Sequence, residues 1–180
     1  RVLASVSGDV NMITAFTEGH DVHTETAASI FRIPRDMVTP ELRRRAKAVN
    51  FGIVYGIGAY SLSQDVRVSV REAQEYIDSY LASYPGVSAY LDRTVKQAQQ
   101  DGYVTTGYGR RRYIPEIQNS NKTVQALGRR LAMNTPIQGT AADIIKIAMI
   151  RVYDRLKAEL PEARLILQVH DELIIECPEK

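Results

Sequence analysis

The chain has 180 residues, of which 44% are hydrophobic and 24% charged, a composition typical of a folded globular protein and not of a disordered one. Its net charge of +2 is too small to indicate nucleic-acid binding by itself, and its single cysteine excludes a disulfide within the chain. No stretch is apolar and long enough to cross a membrane, so we expect a location in the reducing cytoplasm.

Hydrophobic periodicity and breaker residues predict a mainly helical N-terminal part. Thr39 is placed to cap a helix that Pro40 begins, and Ser69 with Glu72 forms the sequence pattern of a capping box. An Asp-Gly pair at 101–102 then predicts a turn into a hairpin. The predicted helices cover residues 2–19, 21–33, 41–55, 69–81 and 87–100.

The C-terminal third is predicted to contain two further helices and a second hairpin. The helices cover residues 121–133 and 140–160, because Pro136 and Gly139 are expected to interrupt the chain between them. Apolar runs at 165–169 and 173–176 indicate two strands with polar residues at their junction. The predicted fold class is therefore α+β with a helical majority. The side chains expected on the core side of the last helix are Ile144, Ile145, Ala148 and Val152.

A stripe of cationic and aromatic side chains runs along the helix predicted at 41–55. Arg43, Lys47, Phe51 and Tyr55 recur at intervals of four residues, which places them on one face of a helix. Like charges at this spacing repel, so we interpret the stripe as a surface for a polyanion that carries a flat ring, such as a nucleoside triphosphate. The alternative is an amphipathic surface helix with solvated basic residues.

Two further features of this region favour a ligand. Residues 32–47 carry six cations against two acids, a local surplus of +4. Gly52 and Gly56 each follow an aromatic residue of the stripe, and because glycine is costly within a helix, we interpret both as positions where a partner approaches the backbone.

The stripe closely resembles the fingers helix of family A DNA polymerases, the bacterial DNA polymerase I group. The signature of that helix is Arg-x-x-x-Lys-x-x-x-Phe-x-x-x-Tyr-Gly, and residues 43–56 fill every position of it. A second signature of the family, Gln-Val-His-Asp-Glu, is present at 168–172, and the runs DVHTETA, GYGRRRYIP and NTPIQGTAAD also match. The resemblance covers essentially the whole chain and implies template-directed DNA synthesis from dNTPs on a primer-template, by two-metal catalysis with Mg²⁺.

The resemblance also implies roles for individual residues. Asp171 is expected to bind Mg²⁺, with Glu172 as a weaker second carboxylate and Lys47 as a further catalytic residue that neutralises the leaving pyrophosphate. The expected dNTP-binding residues are Arg43, Lys47, Phe51, Tyr55 and His23. The expected DNA-binding residues are Arg110, Arg111, Arg130, Asn134, Gln138, Gln168, His170, Tyr55 and Gly56.

By the same resemblance, residues 1–20 and 119–180 are expected to belong to the palm and residues 21–118 to the fingers. The first catalytic Asp and the thumb of the family have no counterpart in the sequence, so we expect a fragment of a monomeric parent enzyme that is inactive alone. Two alternatives remain open. One is a non-catalytic relative that binds nucleic acid, and the other is a single-subunit RNA polymerase of the phage type, whose corresponding helix generally lacks an aromatic residue at the position of Phe51.

Overall fold

The computed structural model describes residues 1–179, in which helices predominate and two small antiparallel hairpins supply the strands. The predicted α+β class is confirmed. The helices are α1 (Val2–Ser7), α2 (Val10–Thr17), α3 (Val22–Phe31), α4 (Pro40–Tyr55), α5 (Ala59–Val66), α6 (Val70–Ser83), α7 (Pro85–Asp101) and α8 (Lys122–Glu159). The strands are β1 (Tyr103–Thr105), β2 (Arg111–Tyr113), β3 (Arg164–Val169) and β4 (Glu172–Glu176), and short 3-10 helices cover Arg35–Met37 and Pro115–Gln118.

Side-chain caps fix where several helices begin, as the sequence predicts. The Thr39 hydroxyl accepts a hydrogen bond from the Leu42 N–H at 3.3 Å and caps α4, with Pro40 as the first helical residue. The capping box of Ser69 and Glu72 is formed at the start of α6.

The prediction of one helix over residues 2–19 is wrong, because the helix is interrupted at Gly8 and Asp9. Gly8 adopts a left-handed conformation with φ of 64° and ends α1. Asp9 is buried, and its carboxylate accepts hydrogen bonds from the Met12 N–H at 2.9 Å and the Gly86 N–H at 2.7 Å. One carboxylate thus caps α2 and fastens it to the start of α7. Helix α5 was not predicted.

The main core is formed by residues of the helices α1 to α7. Its fully or almost fully buried members include Val49 of α4, Leu62 of α5, Tyr80 of α6 and Val87 of α7. Residues of α1 and α2 join the same core, and Ile137 of α8 closes it. A second, smaller cluster forms where α7, the first hairpin and α8 meet, and it contains Val95, Ala98, Val104, Ile114, Ile117 and Ala132.

The predicted interruption at Pro136 and Gly139 is wrong, since α8 continues from Lys122 to Glu159 with Pro136 inside it. Tertiary packing outweighs the cost of a proline in the helix. Pro136 and Thr140 are buried, and the Thr140 hydroxyl accepts a hydrogen bond from the Gly107 N–H of the first hairpin at 2.7 Å. Gly139 permits this approach, because a Cβ there would lie 2.6 Å from Cγ2 of Thr106.

The predicted core side of the last helix is also wrong. None of Ile144, Ile145, Ala148 and Val152 is buried, and Ile144 is 45% exposed. The strands of the second hairpin are likewise exposed, with Ile166 at 57% and Leu167 at 54%. The hairpin packs against α8, and much of this apolar surface is left exposed. None of the helices within residues 1–179 combines the length and the apolar character that crossing a bilayer requires.

Candidate functional site

The stripe faces solvent along the whole length of α4. Phe51 is 47% exposed and Tyr55 46%, whereas Ala46 and Val49 on the opposite face are fully buried. Burial of the apolar face fixes the rotation of the helix and leaves the stripe free on the other side. Large aromatic surfaces exposed in a row are typical of a binding site more than of a solvated helix face.

Side chains of the stripe also contact one another. The rings of Phe51 and Tyr55 are stacked, with centroids 6.5 Å apart and planes inclined by 25°. The Lys47 ammonium lies 5.7 Å from the Phe51 ring centroid, within the range of a cation–π interaction. No ion pair engages Lys47 within residues 1–179, so its charge is available to an anion.

Arg43, at the other end of the stripe, is already paired with a carboxylate. Its Nε donates to Oδ1 of Asp21 at 3.1 Å, and its Nη2 donates to Oδ2 at 2.6 Å. The hydrogen bonds from Arg43 hold the pKa of the Asp21 carboxyl well below its usual range. Asp21 also accepts from the Thr24 N–H at 2.8 Å and so caps α3. A phosphate that binds Arg43 must therefore compete with Asp21 for the guanidinium.

His23 lies beside the stripe, on the first turn of α3. Its ring centroid is 6.1 Å from that of Phe51. Its Nδ1 is 2.9 Å from the side-chain nitrogen of Asn50, a buried residue of α4. Burial lowers the pKa of the His23 imidazole, and the positive charges of Arg43 and Lys47 lower it further while Asp21 opposes them. His23 is thus held neutral at a fixed position next to the aromatic rings.

The two glycines of the stripe have structural causes, so their interpretation as ligand approach points needs correction. A Cβ on Gly52 would lie 2.6 Å from Cδ1 of Ile57, in the buried face of the helix. Gly56 adopts φ of 64° and ends α4, and a Cβ there would lie 3.4 Å from Cα of Arg130. Helix packing and chain reversal explain both positions.

Residues of α8 line the C-terminal end of the stripe. The Gln138 amide donates to the Tyr55 hydroxyl at 3.1 Å, and the Asn134 amide donates to the Val54 carbonyl at 3.3 Å. Arg130 lies against Gly56 and is exposed. The three side chains that recur at intervals of four on α8 therefore lie next to the last turn of α4.

A basic loop joins β1 to β2 beside the same part of α8. Arg111 stacks on the Tyr103 ring with its guanidinium carbon 4.9 Å from the centroid, and Nη1 of Arg112 donates to the Thr135 hydroxyl at 3.2 Å. A groove of about 450 Å³ runs between the loop and α8. Its lining is basic and polar and includes Arg110, Arg111, Arg112, Asn134 and Gln138.

Arg110 turns towards α8 and away from the open side of the loop. Its Nε donates to Oδ1 of Asp143 at 2.8 Å, and its Nη2 donates to the Gly139 carbonyl at 3.2 Å. Asp143 is buried, and within the described residues its Oδ2 has no hydrogen-bond partner. Hydrogen bonds from Thr106 and Arg110 lower the pKa of the Asp143 carboxyl. Arg110 thus anchors the loop to α8, whereas Arg111 and Arg112 are exposed on β2.

Asp171 lies at the tip of the second hairpin and is exposed. His170 precedes it with φ of 52°, and the Gln168 amide donates to the His170 carbonyl. Glu172 is not at the tip, since it belongs to β4 and pairs with Val169. Because Asp171 is exposed, its carboxylate keeps its hydration, and no desolvation cost requires a bound cation there.

The described residues do not form a complete set of metal ligands. Within residues 1–179 no three His, Cys, Asp or Glu side chains are grouped so that they hold a metal ion. An exposed Asp at a tight turn fits one ligand position of Mg²⁺, which commonly takes one or two protein carboxylates together with phosphate oxygens and water. No hydrogen bond or ion pair among the described residues joins Asp171 to α4, so its alignment with the stripe stays a prediction.

Three residues that support the site were not identified from the sequence as functional: Asp21, Asn50 and Asp143. Asn50 carried a usable signal, because it falls among Ala46, Val49 and Ile53 on the apolar side of α4, where a polar side chain requires a hydrogen-bond partner. The partners of Asp21 and Asp143 are 22 and 33 residues away, and no local pattern identifies them.

Known proteins match the chain over its full length. The family model for DNA polymerase family A matches residues 1–180. DNA polymerase I of Bacillus caldotenax is 54% identical over 180 residues, which are 100% of this chain and 20% of that protein. The thermostable DNA polymerase I of Thermus aquaticus is 47% identical over 180 residues, or 21% of its length. The chain therefore spans about a fifth of the length of these relatives.

A solved structure shares the fold. The POL domain of Pol1 from M. smegmatis, in complex with DNA primer-template and dNTP, matches with a TM-score of 0.93 and 47% identity over 99% of this chain and 32% of that one. The sequence signatures, the exposed stripe of α4 and the match of a family model from the first residue to the last agree. This chain belongs to DNA polymerase family A.

Proposed function

We propose that the chain serves in template-directed DNA synthesis, as the fingers (residues 21–118) and part of the palm (1–20 and 119–180) of a longer polymerase. The observation that carries the proposal is the exposed stripe, in which the Lys47 ammonium, without an ion pair within residues 1–179, lies 5.7 Å from the Phe51 ring and that ring stacks on Tyr55. Relatives that this chain matches over its whole length are named DNA polymerase I, which favours the DNA enzyme over the phage-type RNA polymerase.

In this proposal the triphosphate of the incoming dNTP binds the cationic half of the stripe. Lys47 supplies a charge that no carboxylate pairs within residues 1–179, and Arg43 exchanges Asp21 for phosphate oxygens through the same forked geometry. Lys47 stabilises the negative charge that develops on the leaving pyrophosphate and is placed to protonate it. His23 donates a hydrogen bond to a phosphate oxygen from the side.

The aromatic half of the stripe positions the sugar and the base. Phe51 packs against the deoxyribose and the base, and Tyr55 lies where stacking with the template begins. Arg130, Asn134 and Gln138 contact the minor groove of the primer-template, while Arg110 of the β1–β2 loop and Arg111 at the start of β2 contact its backbone. Gln168 and His170 approach the primer terminus.

Asp171 holds Mg²⁺ in this proposal, with Glu172 nearby as a weaker contributor. When bound, Mg²⁺ stabilises the charge on the attacking and leaving oxygens of phosphoryl transfer. A single carboxylate does not build a site for two ions, so the remaining ligand comes from a segment outside this sequence. We therefore expect the 180 residues alone to be inactive. We also expect the parent enzyme to be monomeric.

The test is primer extension by the longer polymerase, with two charge-removing variants of the same helix. Lys47→Ala is expected to raise the KM for dNTP and lower kcat, since it removes an interaction with the triphosphate. Arg44→Ala is the matched control, because Arg44 also lies on α4 but is exposed outside the stripe and paired with Glu41. Equal effects of the two variants would contradict the proposal, and so would a loss confined to DNA affinity. Absence of metal-dependent incorporation by the unaltered enzyme would favour the non-catalytic relative.

A further inference from the structure

The side chain of Asn50 is the one buried polar contact of the His23 ring within residues 1–179. Asn50 is 8% exposed, and its amide nitrogen lies 2.9 Å from Nδ1 of His23. Its amide oxygen lies 3.1 Å from the hydroxyl of Thr26, a residue 1% exposed, and it shares the single proton of that hydroxyl with the Val22 carbonyl at 2.8 Å. No sequence signature assigns a role to either residue. Both ends of the amide are thus occupied, and its orientation decides which His23 nitrogen carries the proton.

We propose that Asn50 is a positioning residue that fixes the tautomer of His23, with Nδ1 as the acceptor and the proton on Nε2. In this tautomer Nδ1 accepts from the Asn50 amide, and the Nε2–H is left to donate on the other side of the ring. A neutral imidazole then offers a hydrogen bond to an anionic oxygen without carrying a charge. The part that concerns the nucleotide depends on the proposed function, whereas the tautomer itself does not.

The same contact opposes protonation of His23. An imidazolium would carry a proton on Nδ1, facing the amide N–H of Asn50, so the hydrogen bond would be replaced by a contact between two donors. The charged groups that face His23 are Asp21, just before α3, and Arg43 and Lys47 of α4. Burial is the main cause that lowers the folded pKa of His23, and the two cations add to it while Asp21 opposes them. Stability from the neutral ring is therefore present above the unfolded value of about 6.5 and is lost as the pH falls below it.

Replacing Asn50 by Asp provides a test of opposite sign at nearly constant shape. A carboxylate at this position accepts and does not donate, so Asn50→Asp is expected to move the proton of His23 to Nδ1 and raise its pKa by at least one pH unit, a tenfold change in the protonation equilibrium. The measurement is ¹⁵N NMR of the imidazoles in the 180-residue chain between pH 5.5 and 8.5. His20 serves as an internal control, because it does not contact Asn50 and its titration should stay unchanged.

If the variant does not fold, the tautomer of His23 in the unaltered chain still tests the proposal. An Nε2–H signature for His23 at neutral pH supports the proposal, and an Nδ1–H signature overturns it, since the amide would then have the opposite orientation. An unchanged tautomer and pKa in a folded Asn50→Asp variant would also overturn it.

The link to the nucleotide is tested separately in the longer polymerase. There, Asn50→Asp is expected to make the KM for dNTP depend on pH between 6 and 8, where we expect a flat profile from the unaltered enzyme. If the tautomer is as proposed but the KM changes neither with the substitution nor with pH, the assignment of the nucleotide site fails while the positioning role of Asn50 stands.

Discussion

The ion pair between Arg43 and Asp21 predicts that removal of the acid improves nucleotide binding. In the structure Asp21 occupies both nitrogens with which Arg43 would hold a phosphate. Asp21→Asn removes the charge but keeps an oxygen that can cap α3, because Asn is as good a cap as Asp. We therefore expect the variant to release Arg43 without unfolding the helix that carries His23.

The size of the effect follows from the exposure of the pair. The two side chains are 44% and 45% exposed, so solvent screens their attraction, and pairs of this kind change an equilibrium by no more than about fivefold. The KM for dNTP should accordingly fall by about two- to fivefold at low salt. The difference should vanish at high salt, where exposed charges are screened in both proteins.

The assay is single-nucleotide incorporation by the longer polymerase at two ionic strengths. Glu41→Gln is the matched control, because the substitution removes one acid from the same region. Within residues 1–179 Glu41 pairs with Arg44 and Arg45, which lie outside the stripe. A KM that stays constant or rises in Asp21→Asn, with unfolding temperature preserved, would refute the exchange of Asp21 for phosphate. An equal fall in both variants would show a general charge effect.

Three other variants test separate parts of the account. Phe51→Tyr is expected to ease incorporation of dideoxynucleotides, since its hydroxyl replaces the one that the terminator lacks; an unchanged ratio of dideoxy to deoxy incorporation would contradict the position of the ring. Gly128→Ala should destabilise the chain by about 1–3 kcal/mol in urea unfolding, because a Cβ there would lie 2.4 Å from the backbone nitrogen of Ile117, whereas Gly52→Ala meets side-chain atoms of Ile57, at 2.6 and 2.7 Å, which move more easily than backbone, and should cost less. Asp143→Asn should weaken primer-template binding although it removes a negative charge, because Arg110 loses its anchor; tighter binding in a filter or anisotropy assay would show that Asp143 acts only as a charge.

Several helix boundaries were predictable from local chemistry, although the one at Gly8 and Asp9 was missed. Thr39 and the box of Ser69 and Glu72 begin their helices as predicted, and Gly56 ends α4 in the left-handed conformation that glycine favours. The spacing of the stripe was predictable for the same reason, since a four-residue interval determines a helix face once the helix exists.

Features that depend on distant packing were not predictable. Pro136 reads locally as a breaker, yet the first hairpin packs on α8 at this point and keeps it continuous. Ile144 looks like a core residue from its periodicity, but burial depends on what lies opposite, and in the structure its side chain is 45% exposed. The pairing of Arg43 with Asp21 has the same character, because two helices must meet before the ion pair exists.

The most direct test of the central claim is a structure of the longer polymerase with primer-template, an incoming dNTP and Mg²⁺. We expect the Lys47 ammonium and the Arg43 guanidinium within hydrogen-bonding distance of the triphosphate, the Phe51 ring against the sugar and base, and an Asp171 oxygen about 2.0–2.1 Å from a Mg²⁺ ion. A triphosphate bound away from α4, or an Asp171 carboxylate remote from the metal, would contradict the account.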